Sequence, residues 1–166
     1  MRFLSKINRV VNYCLAWAAG AALIAAMLIT VAHMFMRAFF LPFEGTFEIV
    51  GWLTAVATAL ALGYTQLQKG HISIDLLFYK LIPRARLKVE IAALLISLAL
   101  FAVLTGEMFH FAAHLKEVGS LSDTLRLSYY PFTFITAIGT AGLFLALLVE
   151  LLRNVSTILG QPQDYW

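Results

Sequence analysis

Four stretches of this chain contain no Asp, Glu, Lys or Arg, and they constrain the fold more than any other feature of the sequence. The four stretches are residues 10–36, 49–68, 91–106 and 127–149. A hydrocarbon core about 30 Å thick is crossed by about 20 helical residues. The first, second and fourth stretches can therefore cross a bilayer directly, and the third can do so if its helix continues past Glu107.

The composition agrees with a membrane protein and leaves little chain for a soluble domain. Of the 166 residues, 61% are hydrophobic and only 13% are charged, whereas about a quarter of the residues of a soluble domain are charged. The connections between the stretches are too short for a nucleotide-binding or hydrolase domain. The only cysteine, Cys14, excludes an internal disulfide and a thiolate-built metal cluster. We therefore predict no enzymatic activity, no cofactor and no nucleic-acid partner.

We predict an all-α integral membrane protein that forms a single domain from residue 1 to residue 166. The predicted transmembrane helices are residues 10–36, 46–68, 89–113 and 129–152, with tails at 1–9 and 153–166. Between the second and third helices, residues 71–82 carry apolar side chains at helical spacing and are followed by Pro83 and three basic residues. This segment is predicted as a short amphipathic helix on the cytoplasmic surface, and a short extended segment is the alternative.

The basic residues predict the orientation of the chain. With both termini on the cytoplasmic side, nine Lys and Arg residues lie inside and three lie outside. Because basic residues concentrate on the cytoplasmic side of membrane proteins, we expect both termini in the cytoplasm of a bacterial inner membrane. Several charges of the opposite face are candidates for docking a soluble partner: Arg37, Glu44, Asp123 and Arg126.

The second predicted helix carries a small residue at every fourth position. These residues are Gly51, Ala55, Ala59 and Gly63. Such a stripe allows another helix to approach closely. Two interpretations stay open, packing within the chain and packing against a partner subunit, and Thr58 is expected to lie away from the stripe.

The histidines raise two cofactor alternatives. Glu107, His110 and His114 share one face of the third helix and could ligate a metal ion, with His33 as a further ligand. His33 and His110 could instead hold a haem between facing helices, as in a membrane-anchor subunit of a respiratory complex. Against a transport pathway within this chain, no ionisable group lies in the middle of any predicted span.

The residues around the second and fourth helices resemble one family, the small membrane subunit of tripartite ATP-independent periplasmic (TRAP) transporters. The resemblance is carried by Glu48 at the start of helix 2, by Gly63, and by the block from Gly70 to Leu77, which contains His71 and Asp75. Pro83 follows that block, and Pro131 and Gly139 extend the resemblance into helix 4.

This resemblance implies a partner role rather than a transport site in the chain itself. It implies a large membrane subunit that binds the solute and sodium and moves like an elevator, while the small subunit braces its fixed scaffold. It also implies a periplasmic binding protein that delivers an organic acid. Within the family block, Gly70, His71 and Asp75 are expected to cap helices rather than to perform chemistry.

Overall fold

The computed structural model describes residues 2–39, 44–68 and 83–158, and these ranges form four helices. In chain order the helices are α1 (Arg2–Phe39), α2 (Thr46–Leu67), α3 (Pro83–Val118) and α4 (Tyr130–Ile158). All four are long and apolar enough to cross a membrane. The prediction of an all-α protein with four candidate transmembrane helices is therefore confirmed.

The ends of the helices follow the local sequence. Pro83 begins α3, where its missing N–H has no partner to lose and its fixed φ suits the helix. Gly119 follows the end of α3 with a φ of +67°, a left-handed conformation that glycine adopts without steric cost. Glu107 lies inside α3, which continues past it without interruption. The predicted amphipathic segment, with Gly70, His71 and Asp75, lies outside the described residues.

The two central helices are α2 and α4. α2 packs along both α1 and α4, and α3 packs mainly on α4. One apolar cluster joins α1 to α2 through Ala19, Val56 and Leu60. A second joins α3 to α4 through Leu94, Leu143 and Leu147. The chain therefore forms a bundle in which α1 and α3 lie on the outside.

The outer faces of α1 and α3 carry many exposed apolar side chains. Trp17 is 76% exposed and Leu28 65% on α1, and Ile96 is 72% exposed and Val103 66% on α3. In water such a surface would promote aggregation. In a bilayer the hydrocarbon tails cover it, which agrees with the length and hydropathy of the helices.

Candidate partner interface

The small-residue stripe on α2 divides into a buried half and an open half. Ala59 and Gly63 are buried, whereas Gly51 and Ala55 are exposed. A Cβ built on Gly51 would meet no atom within 4 Å. The stripe therefore serves packing within the chain in its second half only, because a repeat of four residues drifts around a helix that has 3.6 residues per turn.

The buried half is where α2 meets α4 and α1. A Cβ at Gly139 on α4 would lie 2.5 Å from the carbonyl carbon of Ala59, so the backbones of α2 and α4 touch at this point. A Cβ at Gly63 would overlap the side-chain amide of Asn12 on α1 and lie 3.0 Å from the backbone of Gly142. Gly63 and Gly139 therefore allow contacts that any larger residue would prevent.

The open half lines a groove of about 550 Å³. Gly51, Ala55 and Thr58 form one wall from α2, and Leu104 and Met108 of α3 stand opposite. Thr136 and Thr140 of α4 line it as well. The expectation that Thr58 lies away from the stripe is wrong, because Thr58 lines the same groove as Gly51 and Ala55. The hydroxyls of Thr54 and Thr58 donate to the carbonyls of Val50 and Thr54 in their own helix, which leaves the groove without free donors from these two residues.

At the end of the bundle where α1 ends and α2 begins, Glu48 holds the connection between α3 and α4. Its carboxylate accepts hydrogen bonds from the backbone N–H of Thr124 at 2.9 Å and of Leu125 at 3.3 Å. Hydrogen bonds to an ionised acceptor are stronger than neutral ones. Glu48 therefore fastens a loop that is more than seventy residues away in the sequence.

The connection itself is a small hairpin, residues 119–129. Leu121 and Ser128 form an antiparallel bridge, and the N–H of Ser122 donates to the carbonyl of Leu127 at 2.8 Å. Arg126 turns the chain with a φ of 52°. The side chain of Leu125 covers Gly45, where a Cβ would clash with it. Because Gly45 has no side chain, Leu125 of the hairpin can pack against the chain just before α2.

Aromatic and polar contacts complete this end of the bundle. Thr46 and His33 share a hydrogen bond of 2.9 Å between the hydroxyl and Nδ1, which joins α1 to α2. Trp52 stacks on Phe132 and meets Tyr129 edge-on, with ring centroids 4.6 and 5.5 Å apart. Pro131 lies in the first turn of α4 beside these rings in sequence. Hydrogen bonds and ring contacts therefore join the loops and helices at this end of the bundle.

The four predicted docking charges lie at the same end of the bundle. Arg37, Glu44, Asp123 and Arg126 are all exposed. They belong to the last turn of α1, the turn just before α2 and the hairpin. The structure brings them to one end of the bundle.

The cofactor alternatives find no support in the geometry. Glu107, His110 and His114 are exposed on α3, and no three His, Cys, Asp or Glu side chains among residues 2–39, 44–68 and 83–158 are grouped to hold a metal. His33 is bonded to Thr46. Over the same ranges, α1 and α3 do not pack extensively against each other, so His33 and His110 do not lie on facing helices as a bis-histidine haem requires.

The opposite end of the bundle, where α1 begins and α2 ends, contains polar contacts that were not predicted from the sequence. Asn8 and Asn12 on α1 are almost fully buried, and the amide nitrogen of Asn12 donates to the carbonyl and side-chain oxygens of Asn8. Gln66 donates to Glu150 at 2.7 Å, which joins α2 to α4. The spacing of four residues between the two asparagines in an apolar helix is the signal that could have revealed the first pair.

Together these features define a class, a helical membrane protein with four candidate spans, one end at which hydrogen bonds and ring contacts join the loops and helices, and an open lateral groove. A family model confirms and narrows this class: the model of the DctQ component of tripartite ATP-independent periplasmic transporters matches residues 26–157. The chain belongs to this family and is the small membrane subunit of a TRAP transporter, a multi-pass protein of the inner membrane. No curated protein and no solved structure matches the chain.

Proposed function

We propose that this chain scaffolds the large membrane subunit of a TRAP transporter that imports an organic acid. In this proposal a periplasmic binding protein delivers the solute, sodium drives its uptake, and the solute crosses the membrane through the large subunit. The small subunit widens and anchors the fixed part of an elevator-type machine. Membership in the family supports the choice of partners. No Asp, Glu, Lys or Arg lies in the middle of a predicted transmembrane helix, which supports a role without a transport site in this chain.

The observation that carries the proposal is the open half of the α2 stripe. Gly51 and Ala55 lie exposed in a groove between α2 and α3, although the other half of the same stripe is used for close packing. In a membrane, helices associate through close contact of small residues rather than through the hydrophobic effect. We therefore assign this groove to a transmembrane helix of the large subunit.

The end of the bundle that carries the α3–α4 hairpin supplies the second surface of the proposal. Arg37, Glu44, Asp123 and Arg126 face the side from which the binding protein approaches if both termini are cytoplasmic. Charges of both signs on an exposed surface set the rate and the register of an encounter more than its affinity. The hairpin that carries Asp123 and Arg126 is held in place by Glu48, so these two charges are presented in a fixed position.

The groove assignment is tested by co-purification with the large subunit. Ala55→Leu places a larger side chain in the groove at an exposed position, so it should reduce co-purification while leaving the thermal stability of the isolated chain unchanged. Ala59→Leu should lower both, because Ala59 is buried between α2 and α4. A matched control is Ile96→Leu on the outer face of α3, which should lower neither. If Ala55→Leu co-purifies as well as the control, the groove does not bind the large subunit.

A further inference from the structure

The N-terminal part of α1 has a face that combines basic and aromatic residues. Arg9, Val10, Tyr13, Cys14 and Trp17 line a shallow groove of about 440 Å³ along one side of the helix. Arg9, Tyr13 and Trp17 are spaced four residues apart. On an ideal helix Lys6 lies within about 20° of both Tyr13 and Trp17, so it belongs to the same face.

This face is both exposed and free of acidic residues. Tyr13 is 48% exposed and Trp17 76%, and Lys6 and Arg9 are exposed as well. α1 contains no Asp or Glu, and none of the described carboxylates forms an ion pair with Arg9. The described end of α2 beside Tyr13 contributes Tyr64 and Gln68, neither of which adds a carboxylate. The face therefore has a net positive charge that nothing in the described chain neutralises.

The order of the residues along α1 matches the order of chemical groups in a phospholipid. With a rise of about 1.5 Å per residue, Tyr13 lies about 6 Å and Trp17 about 12 Å further along α1 than Arg9, and Lys6 lies about 4.5 Å before it. If the phosphate is level with Arg9, the long side chain of Lys6 can reach it, Tyr13 falls at the level of the ester groups, and Trp17 falls beside the first part of the acyl chain. Tyr13 is held in place by an edge-on contact with Tyr64, with ring centroids 5.4 Å apart.

We propose that this face of α1 binds an anionic phospholipid of the cytoplasmic leaflet, with the phosphate at Arg9 and Lys6 and the acyl chain against Trp17. The charge selects the lipid, because a zwitterionic headgroup brings a cation of its own to the two basic side chains. This site is independent of the groove between α2 and α3; it rests on the predicted cytoplasmic N-terminus and not on the proposed function. The site gives the N-terminal part of α1 a specific ligand in addition to the general attraction of basic residues for anionic membranes.

The test measures quenching of tryptophan fluorescence by brominated lipids. The full chain is placed in phosphatidylcholine vesicles that contain a minor fraction of lipid brominated near the start of its acyl chains, either phosphatidylglycerol or phosphatidylcholine. The signal of Trp17 is the difference between the native chain and Trp17→Phe, since Trp52 and Trp166 remain in both. We expect brominated phosphatidylglycerol to quench Trp17 more than brominated phosphatidylcholine at the same fraction.

Neutralising the basic residues locates the site. Each basic residue near an anionic headgroup contributes about a fivefold preference, so Arg9→Gln should lower the preference of Trp17 for phosphatidylglycerol by about that factor. The matched control is Arg37→Gln at the opposite end of α1, which should leave the preference unchanged. Equal quenching by the two brominated lipids would overturn the proposal, as would equal effects of Arg9→Gln and Arg37→Gln. Loss of the quenching when the large subunit is bound would assign this face to protein and overturn it too.

Discussion

Gly63 on α2 lies against the side-chain amide of Asn12 on α1, so closely that a Cβ at position 63 would overlap the amide oxygen. Asn12 is fully buried, and this oxygen has no hydrogen-bond partner among the described residues. Its neighbours are the backbones of Gly63 and Gly142, whose Cα–H groups are weak donors. Three helices therefore meet at a single polar side chain, and two glycines make room for it.

The first prediction concerns this contact. Gly63→Ala should destabilise the isolated chain by about 1 to 3 kcal/mol, because overpacking forces Asn12 or a helix to move. Gly51→Ala is the matched control on the same helix: a Cβ there meets nothing within 4 Å, and alanine is the better helix former. The measurement is thermal unfolding in detergent. Equal unfolding temperatures for the two variants would contradict the packing of α1 on α2 described above.

The second prediction concerns Glu48 and the hairpin. Glu48→Gln removes the negative charge and one of the two acceptor oxygens, so the amides of Thr124 and Leu125 lose charge-assisted hydrogen bonds. Their hydrogen exchange, measured by mass spectrometry on peptides that cover the hairpin, should become faster. Glu44→Gln changes an exposed carboxylate four residues away and should leave exchange as it is. Unchanged exchange in Glu48→Gln would mean that the hairpin is held by Leu125 on Gly45 alone.

These contacts show which parts of the structure can be predicted from one sequence. The spans can, because the absence of charge over about twenty residues leaves few alternatives to a transmembrane helix. The partner of a given residue cannot, because the relative position of two helices depends on side-chain packing along their whole length. The stripe on α2 shows this limit: its spacing indicated close packing, yet nothing in the spacing separated Ala59, which is buried by α4, from Ala55, which is open.

The same limit applies to the polar residues. The family resemblance singled out Glu48, but only the structure shows that its carboxylate binds the backbone of the α3–α4 hairpin. The spacing of Asn8 and Asn12 could reveal their mutual contact, but the two glycines around Asn12 come from helices distant in sequence. Buried polar groups of this kind are found by asking where each donor and acceptor is satisfied, which requires coordinates.

The third prediction tests the orientation. In a Cys14→Ala background, cysteines introduced at Glu44 and Asp123 should react with a membrane-impermeant thiol reagent added from the periplasm. A cysteine at Gln68, at the opposite end of α2, should react only after the membrane is opened. The physical reason is the excess of basic residues on the cytoplasmic side. The reverse pattern of labelling would place both termini in the periplasm.

The fourth prediction concerns docking of the binding protein. Reversing Asp123 and Arg126 together, as Asp123→Arg with Arg126→Glu, keeps the net charge but inverts the pattern on the hairpin. Uptake should become slower, with the larger effect at low salt, because exposed charges act through a screened field. The control, Gln68→Arg, adds a charge at the opposite end of α2 and should not slow uptake. If the inverted hairpin supports uptake at the native rate at every salt concentration, docking involves the large subunit alone.

The most direct test of the scaffold role is uptake into proteoliposomes with a sodium gradient. An organic acid crossing the bilayer needs compensating groups at mid-depth, since an uncompensated charge there costs at least about 2.5 kcal/mol. No predicted transmembrane helix of this chain has an ionisable group at mid-depth. Vesicles that contain this chain alone should therefore take up no organic acid, and vesicles that also contain the large subunit and the binding protein should take it up. Saturable uptake by the isolated chain, or full uptake by the large subunit and binding protein without it, would contradict the account.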